Sequence, residues 1–197
     1  MLKVGLTGGL GSGKSTASKF FKSLGAFILD ADNTAKKLIE SDEKVKEELI
    51  KEFGTDIMDA SSNVDKKKLT RVAFQDEDHQ QRLNYVVHPH IHRAIDKCFD
   101  KTLDESKHEL FIVDAALIYE SGYDAHLNYI IVVTAQLKHR MERALNRNTL
   151  TRDEILKRIE FQWPEKEKTN LADFVVHNDG TENDLKNQIV ELYKKLV

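Results

Sequence analysis

Apolar and polar positions along the chain follow two periods, and together they predict an alternating α/β order. Short apolar runs read as strands: Leu2 to Leu6, Ala26 to Leu29, Leu110 to Asp114, Tyr129 to Val133 and Phe174 to Val176. The β-branched density of Tyr129 to Val133 predicts a strand covered on both faces. After the first run, Ala17, Phe20, Phe21 and Leu24 keep the i, i+3, i+4, i+7 spacing of an amphipathic helix. Strand, helix and strand in succession make a βαβ unit, and hence a parallel sheet.

From Asn33 to Leu103 the strand-like runs stop and helical stripes replace them. Ala35, Leu38 and Ile39 form one stripe; Val45, Leu49, Ile50 and Phe53 form the next. Ser41 is the expected N-cap of the second stripe and Gly54 its stop. Asp56 to Lys66 reads as a loop, and Leu69 to Phe74 as a short helix. Asp76 to Leu103 carries a long helical pattern, expected to kink or break at His88-Pro89. Proline has no N–H to donate and disfavours helix in the residue before it. Gln136 to Arg147 reads as a helix. Thr151 with Glu154 is a capping box opening another, through Phe161, with Pro164 as its end. Thr181 with Asp184 opens a C-terminal helix whose stripe is Leu185, Ile189, Leu192 and Leu196.

The glycine-rich turn after the first strand carries the chemistry. Gly8, Gly13, Lys14 and Ser15 fit G-x-x-x-x-G-K-[ST], the P-loop. Glycines let successive backbone N–H groups curl around a phosphate, and the following helix adds the positive end of its dipole. Lys14 is expected to reach the β- and γ-phosphates of a nucleoside triphosphate, with the Ser15 hydroxyl on Mg²⁺.

Composition narrows the partners. The chain has 197 residues, 40% hydrophobic and 32% charged, with a net charge of −3, so the basic footprint of a nucleic-acid binder is missing. One cysteine, Cys98, excludes an internal disulfide framework and is expected to be a buried small hydrophobe. No apolar run has the ~18 residues of a membrane span. The first strand begins at the N-terminus with no signal segment before it. The expectation is a cytoplasmic, monomeric protein.

A P-loop does not name the phosphoryl acceptor. The chain lacks the N-K-x-D and D-x-x-G motifs of switch GTPases and is too short for a helicase. A small-molecule kinase needs a base for the acceptor hydroxyl, an insertion to hold the acceptor, and a lid with arginines. Asp32, just past the second strand, is the base candidate, with Asp30 as alternative or as a ligand of a Mg²⁺-bound water. Both also suit the N-terminus of the next helix. Gln136 to Lys168 is the lid candidate, carrying Arg140, Arg143, Arg147, Arg152 and Arg158. Taken singly these arginines read as solvated surface charges, and Arg147 sits at the hinge end of its helix. His88, His90 and His92 alternate, but no zinc pattern supports them. His88, before Pro89, is a candidate for the acceptor pocket.

Further motifs occur in the order found in dephospho-CoA kinases. They are L-T-G-G-L-G-S-G-K-S-T at 6–16, D-A-D at 30–32, H-P at 88–89, R-N at 147–148 and R-I-E-F-Q at 158–162. E-K at 167–168, A-D at 172–173 and N-D-G at 178–180 follow. The chain resembles that family over nearly its whole length. The resemblance implies a P-loop-type parallel sheet flanked by helices, with a helical acceptor-binding insertion and a helical lid. Its core would be 1–30, 106–135 and 169–197, its dephospho-CoA-binding domain 31–105, and its lid 136–168. It implies that ATP, with Mg²⁺, phosphorylates the ribose 3′-hydroxyl of dephospho-CoA, the last step of coenzyme A synthesis. Another P-loop kinase, for instance of nucleoside monophosphates, is the alternative. On this resemblance the catalytic residues are Asp32, Lys14 and Arg147. The ATP site is Gly9, Leu10, Gly11, Ser12, Gly13, Lys14, Ser15, Thr16, Arg147, Asn178 and Gly180. The acceptor site is Thr7, Asp32, His88 and Leu117, and Ser15 is the metal ligand. The expected partners are these two small molecules, with no nucleic acid and no membrane. Two departures stand out: Ala115-Ala116-Leu117-Ile118 replaces the family's Pro-Leu-Leu run, and His177-Asn178 replaces Asp-Asn.

Overall fold

A computed structural model describes residues 1–197. The chain divides into two compact units: Met1–Asp30 with Cys98–Val197, and Ala31–Lys97. Five strands form one sheet: β1 (Leu2–Thr7), β2 (Phe27–Asp30), β3 (Leu110–Asp114), β4 (Tyr129–Thr134) and β5 (Phe174–His177). The helices are α1 (Lys14–Ser23), α2 (Ala31–Ser41), α3 (Glu43–Phe53), α4 (Lys66–Ala73), α5 (Glu77–Glu105), α6 (Leu137–Asn146), α7 (Arg152–Glu160), α8 (Glu165–Leu171) and α9 (Glu182–Leu196).

All strand pairings are parallel, in the order β2-β3-β1-β4-β5. Alternate residues of β4 enter opposite cores, as the pleat requires. Ile131 and Val133 pack with Val4, Leu6, Phe21 and the α9 residues Leu185 and Ile189. Ile130 and Val132 pack with Ile118 and Tyr119 on the other side. Burying one such side chain completely contributes about 1.5–3 kcal/mol. The pairing register aligns the C-terminal strand ends: Asp30 and Leu6 flank β3 at Asp114, and Thr134 faces His177. A polar rim results, at the edge where open α/β sheets take their ligands.

The unit Ala31–Lys97 is helical around Val45, Leu49, Ile57, Leu69, Val86 and Val87. Four local expectations change. Helix α5 runs unbroken through Pro89. The carbonyl that loses its donor belongs to Tyr85, which is 84% exposed, while Val86 and Val87 stay buried, so packing holds the helix across the proline. The N-cap of α3 is Asp42, whose carboxylate accepts from the Lys44 and Val45 N–H groups, and Ser41 instead ends α2. Pro164 opens α8 as its N-cap, a helix too short and polar to show a stripe. Cys98 is half-buried. No helix is long and apolar enough to cross a membrane.

Candidate active site

β1 delivers the chain into the P-loop, and α1 leaves it. Gly11 and Gly13 are in the left-handed region, φ 80° and 99°. A Cβ on Gly11 would strike the Arg140 carbonyl, and one on Gly13 the Asn178 amide. Both positions therefore need glycine for conformation and for space. Gly13 caps α1 without a side-chain bond, and the Thr16 N–H turns back onto the Gly13 carbonyl, so the helix opens toward the loop with the positive end of its dipole. Lys14 pairs with Asp114, the buried last residue of β3. Ser15 is exposed in the first turn and Thr16 half-buried.

Side chains from distant segments brace the loop. Gln162 Oε1 accepts the Leu10 N–H at 3.1 Å, and Arg140 Nε donates to the Leu10 carbonyl at 3.0 Å. Arg140 is 5% exposed and pairs with Glu165; burial pulls its pKa below the ordinary guanidinium value. Asn178, just past β5, is buried. Its amide donates to the Ser12 carbonyl at 2.8 Å, and its own carbonyl accepts from Arg143 at 2.9 Å. The Ser12 hydroxyl and Arg143 Nη1 are buried without a protein partner, two polar atoms beside the loop still able to bind a ligand.

A second buried group lies past β3. Lys168, 1% exposed, pairs with Glu120 and donates to the Ala116 carbonyl at 3.1 Å. Thr7, buried at the end of β1, donates to the same carbonyl at 3.2 Å. Desolvation lowers the Lys168 pKa, with Glu120 pulling the other way. Glu120 also accepts the Trp163 N–H at 2.9 Å, and the Trp163 ring stacks on Tyr119. Burial pushes the Tyr119 phenol up to about 12.

Of the residues singled out from sequence, Leu10, Gly11, Ser12, Gly13 and Asn178 meet in one network, with Gly9 under the Arg140 guanidinium. Leu117 follows the Ala116 carbonyl that Thr7 and Lys168 share. Gly180 lies exposed in the turn before α9. Arg147 is the exposed C-cap of α6, whereas Arg140 and Arg143, read as surface charges, face the P-loop and Asn178. Asp32 and His88 belong to the unit Ala31–Lys97. Asp32 is exposed in the first turn of α2. His88 is half-buried in α5 with its ring over His92 at 6.1 Å, and burial followed by that neighbour pushes its pKa down to about 4. The sequence reading missed Asp114, Glu165 and the structural place of Arg140. Arg140, Arg143 and Arg147 do share i, i+3, i+7 spacing, a signal of one helical face.

A family model described as dephospho-CoA kinase matches residues 2–184. A protein of that name from Aquifex aeolicus is 35% identical over 196 residues, covering 100% of this chain and 98% of the relative. A crystal structure from Thermus thermophilus is 31% identical with a TM-score of 0.80, covering 100% of this chain and 98% of that one. A Campylobacter jejuni dephospho-CoA kinase structure shares the fold at 23% identity and a TM-score of 0.71, covering 98% and 96%.

Proposed function

The chain belongs to the dephospho-CoA kinase family and is a phosphotransferase acting on a dephospho-CoA hydroxyl, and from that premise we propose how its residues do the work. ATP lies with its phosphates in the P-loop, held by the N–H groups around Gly11 to Ser15. The base lies toward the turn Asn178 to Gly180. Lys14 exchanges part of its contact with Asp114 for the β- and γ-phosphates. Asp32 receives the proton of the ribose 3′-hydroxyl or orients that hydroxyl for attack, giving CoA and ADP. Thr7, Leu117 and His88 contribute to acceptor binding. The observation that carries this reading is the Lys14–Asp114 pair at the joined ends of β1 and β3. It gathers a cation for the phosphates and a carboxylate at one point of the polar rim.

The donor set suits Mg²⁺. Ser15 offers a hydroxyl and Asp114 a carboxylate, the hard oxygen ligands this ion takes alongside phosphate oxygens. When bound there, Mg²⁺ supplies charge neutralisation on the β- and γ-oxygens. The segment Gln136 to Lys168 acts as a lid whose moving part is its middle. Arg140 at one end and Gln162 to Lys168 at the other are tied to the P-loop and to the loop past β3. Arg147, beyond the fixed end of α6, is then the arginine brought in by closure. The reaction runs in the cytoplasm, on two dissolved substrates.

The test is ADP release with ATP and Mg²⁺, with and without dephospho-CoA, and the mass of the product. Stimulation with a product heavier by one phosphoryl group is expected. No stimulation by dephospho-CoA, with stimulation by a nucleoside monophosphate, would refute the acceptor.

A further inference from the structure

Arg140 reaches the P-loop from inside the protein, and it does so without an exposed face to offer the nucleotide: it is 5% exposed. Its Nε donates to the Leu10 carbonyl, while Gln162 accepts the Leu10 N–H. The two bonds therefore hold the peptide planes on both sides of Leu10. The guanidinium fills the space that a Cβ on Gly9 would need, and the Arg140 carbonyl does the same at Gly11. One residue thus moulds three consecutive loop positions.

The guanidinium is itself anchored. One Glu165 oxygen pairs with it, and the other accepts from the Thr134 hydroxyl and from the Ala135 N–H at 3.4 Å, at the C-terminal end of β4. The chain of contacts runs from the sheet, through Glu165 and Arg140, to the loop. A planar fork with donors in fixed directions can hold a carboxylate and a carbonyl together; a lysine ammonium is a single point charge and lacks that geometry. Loop N–H groups held in position before the ligand arrives lose less freedom when it binds.

We propose that Arg140, anchored by Glu165, is a positioning residue for ATP: it fixes the Leu10 peptide planes in the phosphate-gripping shape and does not itself touch the nucleotide. This deepens the ATP-dependent reading above and rests on it.

The experiment uses the full chain and four forms: wild type, Arg140→Met, Arg140→Lys and the double variant Arg140→Met/Glu165→Met. ADP affinity is measured by calorimetry, melting temperature by thermal denaturation, and KM for each substrate by ADP release. Arg140→Met is expected to weaken ADP and raise KM for ATP by about tenfold, the loss of one charge-assisted hydrogen bond, leaving KM for dephospho-CoA unchanged. Arg140→Lys should stay close to Arg140→Met. The double variant should melt higher than Arg140→Met, because it no longer buries an unpaired carboxylate, yet keep the weak ADP binding. Two results overturn the proposal. Recovery of ADP affinity together with melting temperature in the double variant would make the pair a fold brace only. Full affinity in Arg140→Lys would make the charge sufficient and the fork irrelevant. The ADP titration needs no acceptor, so a wild-type protein that binds ADP but fails to phosphorylate dephospho-CoA would sink the functional reading while leaving this one decided.

Discussion

Replacing His88 with glutamine should flatten the loss of stability on mild acidification. The ring is half-buried in α5 and lies over His92, and burial followed by that neighbour holds its pKa down at about 4. In the unfolded chain it titrates near 6.5. As pH falls, the unfolded state takes up the proton first and the native state only near 4, so the unfolded state is favoured through that window. The contribution is fully present above about pH 6.5, falls through the window and is lost below about 4. The gap of about 2.5 pH units corresponds to on the order of 3 kcal/mol, of which about 2 is lost by pH 5. Carboxylates elsewhere add their own pH dependence, so the quantity to read is the difference between variant and wild type. Urea unfolding of both proteins at several pH values between 4.5 and 7.5 gives it. The two stability curves should converge or cross toward the acid end, with wild type losing about 2 kcal/mol more between pH 7 and 5. Parallel curves would refute the argument, since His88 would then titrate alike in both states. The same reasoning predicts an acceptor site that meets a neutral imidazole at pH 7, so KM for dephospho-CoA should not change between pH 6 and 8 on its account.

Three further outcomes follow from the site. Asp32→Asn should lower kcat by about 10²–10⁴ with ADP affinity unchanged by calorimetry; full turnover in the variant would remove Asp32 as base. Lys168→Met should cost about 3–5 kcal/mol in chemical denaturation, because it strands the Glu120 carboxylate in the interior. Adding Glu120→Leu should return most of that loss, and a double variant no more stable than the single would show that the pair is not what the lysine provides. ATP analogue and dephospho-CoA together should protect the α6–α7 connection, Asn148 to Leu150, from limited proteolysis more than either alone; equal cleavage in all states would argue against a closing lid.

The parts of this protein legible in its sequence are the ones encoded by neighbours. The P-loop is contiguous from Gly8 to Ser15, and its glycines, lysine and serine act through the backbone they sit on. The capping boxes at Thr151 and Thr181 close within three residues and are present as expected. The strands and the helical insertion follow from apolar period alone, because period decides which residues share a face. Periodicity is silent on which faces meet. The order β2-β3-β1-β4-β5 places Asp114 beside the P-loop strand, and so pairs it with Lys14, 100 residues away in the chain. Glu165 reaches Arg140 across 25 residues and Lys168 reaches Ala116 across 52, through helix α8, which leaves no stripe to read. A side chain that looks like a solvated charge in a list of residues becomes a buried anchor once packing removes its water and supplies a carboxylate. Pro89 shows the same thing for the backbone: the local rule breaks the helix there, and burial of the residues around it keeps the helix whole.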